Sequence, residues 1–151
     1  MDKFMKRAVE ISLENVRNGG DPFGAVLVKD GEIITEGANE LHKTYDISGH
    51  AEMIAIRQAQ AKLQTHDLSG YVMYASGEPC PMCLTAMYMS GIEEGYYCAS
   101  IEDAADVGLD GSVKIYGDLK KVRSDRSLKM KHMPLEPGQR DPLATWKELK
   151  I

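Results

Sequence analysis

Three observations predict an α/β fold. An amphipathic helical stretch opens the chain, two β-branched runs joined at Asp30-Gly31 follow it, and two short apolar runs further on flank a segment of helical length. The last pattern is that of a crossover unit, which places helices on the faces of a partly parallel sheet.

In "DKFMKRAVEISLENVRN" (2–18), Phe4, Ala8 and Ile11 fall on one helical stripe with Met5, Val9, Leu13 and Val16 beside it, and Gly19-Gly20 ends the helix. "FGAVLVKDGEIITEGAN" (23–39) reads as two antiparallel strands, because Asp-Gly between β-branched runs is a strong hairpin signal. "AEMIAIRQAQAKL" (51–63) is rich in helix formers, with Met53, Ile56, Ala59 and Leu63 at helical spacing. "YVMYAS" (71–76) reads as a buried strand, "PMCLTAMYM" (81–89) as a helix and "EGYYCAS" (94–100) as a further strand, in which Cys98 is expected to be a buried thiol. Beyond Ser100 the pattern weakens until a short terminal helix, which Asp141 can cap with Pro142 at its first position. No repeat or composition shift marks a second domain, so residues 1–151 are read as one domain.

With 43% hydrophobic and 27% charged residues, the chain has the balance of a protein that folds around a core. No apolar run reaches the length of a membrane span, and "MDKFMKRAVE" carries charges where a secretion signal needs an apolar stretch, so a cytoplasmic protein without membrane contact is expected. The formal net charge of −5 disfavours a protein built to grip phosphate backbones. The basic stretch "LKKVRSDRSLKMKH" (119–132) is the local exception, read either as a solvated face or as a nucleic-acid contact.

Three cysteines, Cys80, Cys83 and Cys98, are an odd number that argues against a disulfide framework. In "EPCPMC", Cys80 falls at a helix N-cap, Pro81 at the first helical position and Cys83 one turn on, so both sulfurs can face one point. A helix N-terminus favours the thiolates that either a redox couple or a metal would use. Upstream, "GHAEM" puts His50 and Glu52 at the start of the preceding helix. The combined order matches the zinc-deaminase signature H-x-E…P-C-x-x-C. His50, Cys80 and Cys83 would hold Zn²⁺ with its fourth position open, as in a catalytic site, and Glu52 would serve as general acid and base. A closed structural site would recruit Cys98 as a fourth ligand and leave Glu52 without a task.

These stretches, with "GDPFGAVLVKDGEII" (20–34), "GAN" (37–39) and "DAADVGLDGS" (103–112), resemble the cytidine-deaminase-like superfamily of zinc deaminases, most closely its bacterial guanine deaminase branch. The resemblance implies a three-layer α/β/α fold with a central mixed five-stranded sheet. It also implies a homodimer that exchanges the C-terminal segment, residues 134–151. The reaction it implies is conversion of a free purine base, guanine to xanthine with release of ammonia. It further implies substrate contacts from Asn39, the backbone N–H of Ala51 and the ring of Phe23. The chain departs from the branch at Asp110-Gly111, where two aspartates are usual, at Met89 in place of tryptophan, and at a C-terminus without tyrosine. A tRNA-specific adenosine deaminase and a non-enzymatic zinc-stabilised binding module are the alternatives.

Overall fold

A computed structural model of the chain describes residues 1–150. It divides into two compact units, residues 1–118 and residues 119 onward.

The first unit opens with helix α1 (Lys3–Arg17), whose N-cap Asp2 accepts hydrogen bonds from the amides of Phe4 and Met5. Strands β1 (Gly24–Lys29) and β2 (Glu32–Ala38) follow as an antiparallel pair turned at Asp30 and Gly31, both at positive φ as a tight hairpin of this kind requires. A single helical turn, α2 (Leu41–Thr44), leads to the long helix α3 (Ala51–Leu63). Strand β3 (Val72–Gly77), helix α4 (Pro81–Met89) and strand β4 (Glu94–Ala99) form the expected crossover, with β3 and β4 parallel. Helices α5 (Ile101–Asp106) and α6 (Gly111–Leu119) follow.

The sheet order is β2-β1-β3-β4, with β1 antiparallel to both neighbours. Because side chains alternate across a strand, β1 feeds two cores. Val26 and Val28 join Met5, Ala8 and Ile11 of α1 on one face, while Ala25 and Leu27 meet Ala51, Ala55, Ile56 and Ala59 of α3 on the other. Each large aliphatic side chain buried in this way contributes about 1.5–3 kcal/mol.

The three-layer α/β arrangement is as expected, but the sheet has four strands among the described residues and not five. After β4, Ser100 and Asp103 form a reciprocal capping box that starts α5 and turns the chain away from the sheet. The stretch 119–132 that follows has no period-two alternation of apolar residues to feed a fifth strand. β4 is therefore an edge strand, and Cys98 on it is exposed, contrary to the buried thiol expected. Leu13 and Val16 are also half exposed, because α1 turns Ser12 and Asn15 inward instead. Both polar side chains have acceptors there: Ser12 Oγ donates to the Val9 carbonyl, and Asn15 Nδ2 donates to the carbonyls of Asp21 and Asn39.

The second unit holds a short 3-10 helix (Arg123–Asp125) and α7 (Pro142–Leu149), capped by Asp141 through the Leu143 amide. Two of its basic side chains are spent on its own backbone, Arg126 Nη2 on the Leu119 carbonyl and Lys129 Nζ on that of Ser124. Among the described residues, no helix is long and apolar enough to cross a membrane.

Gly37 of β2 lies so close to the start of α3 that a Cβ there would stand 2.1 Å from the Ala51 carbonyl oxygen. A rigid backbone atom cannot yield as a side chain can, so Gly37→Ala should destabilise the fold by about 1–3 kcal/mol. Gly31→Ala serves as the control, since it meets nothing within 4 Å and costs only its positive φ. Urea unfolding of the two variants measures the difference, and equal midpoints would refute the close packing.

Candidate active site

The N-termini of α3 and α4 converge. His50 is the N-cap of α3 and Cys80 the N-cap of α4, both with extended backbone, and neither side chain caps its own helix. Pro81 supplies a first helical residue without an N–H, and Cys83 follows one turn on, fully buried. His50 Nδ1 lies 3.4 Å from Cys80 Sγ and 3.5 Å from Cys83 Sγ, and the three ligand atoms lie within 4.8 Å of one another. Zn–S and Zn–N bonds of the usual length, set at a tetrahedral angle, separate nitrogen from sulfur by about 3.5 Å. The three residues therefore fit zinc. Cys98 is not part of the group, which leaves a closed four-ligand site without its fourth protein ligand.

Without a metal, the group shares its protons around one anionic sulfur. The Cys80 thiol is pulled down to about 4, first by the hydrogen bond from Cys83 and then by that from His50, against the opposing effect of burial. Cys83, the donor of that bond, is held protonated by it and by its burial. The imidazole of His50 is raised, chiefly by its hydrogen bond to Cys80, with smaller contributions from the charges of Glu52 and Asp21. Glu52, one position inside α3, is buried, and that burial pushes its carboxyl up to about 6. A carboxyl so placed can hold or give up a proton near neutrality without being a ligand.

A cavity of about 490 Å³ opens in front of this group. Its lining combines polar residues, Asp21, Asn39, His50 and Glu52, with apolar ones, Leu109 and Ile115 among them. Among the described residues, no lysine or arginine lines it. A larger hollow of about 580 Å³ lies beside α4 and β4, lined by Tyr88, Tyr96 and Tyr97. It contains none of His50, Glu52, Cys80 and Cys83, so the chemistry belongs to the first cavity.

The expected contact residues fall as follows. Phe23 packs on the core and also lines the cavity, its ring so near Gly77 that a Cβ there would be 2.8 Å away. Asn39 is buried and lines the cavity, with Oδ1 accepting from the Leu41 amide, so that Nδ2 is the part of its side chain left for a ligand. It is thus a strand-end capping residue and a cavity residue at once. Ala51 is the first residue of α3, where an amide has no acceptor within the helix.

Several residues here carry no sequence signal. Asn15 reads as a surface position of an amphipathic helix, yet it ties together the carbonyls of Asp21 and Asn39. Tyr116 on α6 donates to the Pro79 carbonyl at 2.7 Å, fixing the peptide just before Cys80, and partial burial pushes its phenol up to about 12. α6 was not predicted, because Gly111 and Gly117 interrupt its pattern. A hydrophobic count over 112–119 is the signal that could have found it.

Comparison with known proteins gives consistent results. Residues 1–99 match the family model described as the cytidine and deoxycytidylate deaminase zinc-binding region. A guanine deaminase of Bacillus subtilis (strain 168) is 44% identical over 128 residues, 84% of this chain and 81% of its own length. A tRNA-specific adenosine deaminase of Aquifex aeolicus (strain VF5) is 34% identical over 133 residues, 88% of this chain and 85% of its own. The X-ray structure of a guanine deaminase from Bacillus subtilis superposes with a TM-score of 0.89 at 39% identity, covering 98% of this chain and 95% of that one.

Proposed function

Because the chain belongs to the cytidine and deoxycytidylate deaminase zinc-binding family, we propose that it is a zinc-dependent hydrolytic deaminase of a free purine base or close analogue, converting guanine to xanthine and ammonia. The observation that carries this reading is a three-residue metal group with a buried, non-ligating carboxyl beside it, both at the wall of one cavity. A structural zinc site has no use for such a carboxyl, which argues against a binding module.

His50, Cys80 and Cys83 would hold the ion. When bound, zinc supplies a water polarised enough to lose its proton near neutral pH. Glu52 would carry two protons in turn: one from the attacking water to a ring nitrogen as the new C–O bond forms, and then one from the added hydroxyl to the amine as the C–N bond breaks and ammonia leaves. Phe23 borders the ring face, and two donors, the Ala51 N–H and Asn39 Nδ2, meet acceptors on the ring edge. The apolar lining excludes bulk water from the reacting carbon.

The substrate assignment rests on the similarity to guanine deaminases and on a cavity lined, among the described residues, by no lysine or arginine to meet a phosphate. The tRNA-specific relatives are at lower identity, and part of the basic stretch 119–132 is engaged with its own backbone carbonyls. In the working enzyme two copies form a cytoplasmic homodimer, and residues 134–151 are exchanged between them within one deaminase fold. Leu143, Trp146 and Leu149 of α7 are exposed apolar side chains that such a partner would cover.

The purified protein should hold about one zinc per chain, and Cys83→Ala should lose it. Metal analysis that finds a zinc-free wild type ends this reading. Ammonia release should be seen with guanine and be absent with adenine, cytosine and a tRNA anticodon stem-loop. Glu52→Gln should keep its zinc and lose turnover by about 10²- to 10⁴-fold. Deamination of the stem-loop instead would make the protein a tRNA editor with the same chemistry. A truncation after residue 133 should impair both dimerisation and activity, and an active monomer would refute the exchange.

A further inference from the structure

Among the described residues, three carboxylates line the cavity: Asp21, Glu52 and Glu78. Glu78 is engaged, accepting from the Ile101 amide at 3.1 Å at the start of α5. Glu52 has the proton transfer. Residue 111 in the lining is a glycine, and the neighbouring Asp110 is paired with Lys114 at 2.9 Å. That leaves Asp21, whose side chain has no hydrogen-bond or ion-pair partner among the described residues.

Its backbone, by contrast, is tightly held. The Asp21 carbonyl accepts from the Phe23 amide at 2.8 Å and from the buried Asn15 Nδ2 at 2.8 Å. The same Asn15 amide reaches the Asn39 carbonyl at 2.9 Å. One buried side chain therefore fixes Asp21 relative to Asn39, so a free carboxylate is held on a preorganised support beside a ring-binding group.

The polar groups already assigned to the ring, Ala51 N–H and Asn39 Nδ2, are donors. A purine base also carries ring N–H groups, and none of the assigned groups accepts from them. We propose that Asp21 is a specificity-determining residue whose carboxylate accepts a hydrogen bond from the imidazole N–H of the purine base, the edge remote from the amine that leaves. Asn15 is its positioning residue. This rests on the purine-base reading above, and it implies that alkylation of the bonded ring nitrogen, as in a 9-linked nucleoside or a 7-alkyl base, is disfavoured.

The test compares wild type, Asp21→Ala and Asp21→Asn on guanine, 7-methylguanine, 9-methylguanine and guanosine, by initial rates and by calorimetric binding, with zinc content and thermal unfolding recorded for each protein. Wild type should prefer guanine over at least one of the two methylguanines by tenfold or more. Asp21→Ala should lose about tenfold to a hundredfold in kcat/KM on guanine, the range for a hydrogen bond to a charged group, mostly through KM. It should retain one zinc per chain, and its preference between guanine and that methylguanine should collapse. Asp21→Asn, which keeps a neutral acceptor, should lie between wild type and Asp21→Ala. Unchanged guanine kinetics and unchanged methylguanine discrimination in Asp21→Ala would overturn the proposal. So would loss of zinc in Asp21→Ala, which would make Asp21 a support for His50, or a defect confined to guanosine, which would assign it to a ribose. A wild type that neither binds nor converts guanine sinks the purine-base reading itself, before any variant is compared.

Discussion

Two helix N-termini pointing at one spot are the constraint on which the first unit depends. Each brings unpaired amides and a partial positive charge, and their convergence sets Cys83 and His50 where their hydrogen bonds favour the anionic sulfur at Cys80. Bringing α3 this close to the sheet requires small residues on its inner face, and Ala51, Ala55 and Ala59 are all fully buried there. Gly37 completes the fit from the strand side. The crossover from β3 through α4 to β4 then sets the second N-terminus beside the first. Neither helix caps itself with its own N-cap side chain, so His50 and Cys80 are free to act as ligands.

A second tier of contacts holds the cavity wall, and it comes from elements remote in sequence. Asn15 on α1 reaches Asp21 and Asn39, and Tyr116 on α6 reaches Pro79. Each bond fixes backbone beside a cavity or ligand residue. This division, in which the reactive groups sit on helix ends and their supports on other elements, gives the site the rigidity that catalysis by positioned groups requires. It also explains why α1 spends inward-facing positions on Ser12 and Asn15, at the cost of leaving Leu13 and Val16 half exposed.

The edge of the sheet has a different character. β4 carries exposed Tyr96 and Tyr97 beside the hollow that Tyr88 of α4 also lines. A strand edge with aromatic cover invites another chain, and an assembly that buries it would remove an aggregation hazard. Tyr96 is tied to Glu94 and stacks on Tyr74 at 5.2 Å, so this surface is ordered.

The sequence by itself determined the hairpin at Asp30-Gly31, the bounds of α3 and α4, and the grouping of His50, Cys80 and Cys83 at two helix starts. Each of these is local: a turn is set by two residues, a helix by its period and cap, and a ligand motif by spacing along one or two helices. Tertiary structure alone decided the rest. It fixed how many strands the sheet has, because the alternative to a fifth strand was a capping box and two helices, the first only six residues long and the second interrupted by glycine. It exposed Cys98, because burial of a strand depends on its place in the sheet and not on its composition. It set Asn15 against the carbonyls of Asp21 and Asn39 and Tyr116 against that of Pro79, since a polar residue on a helix announces a partner only once the fold has set that partner opposite it.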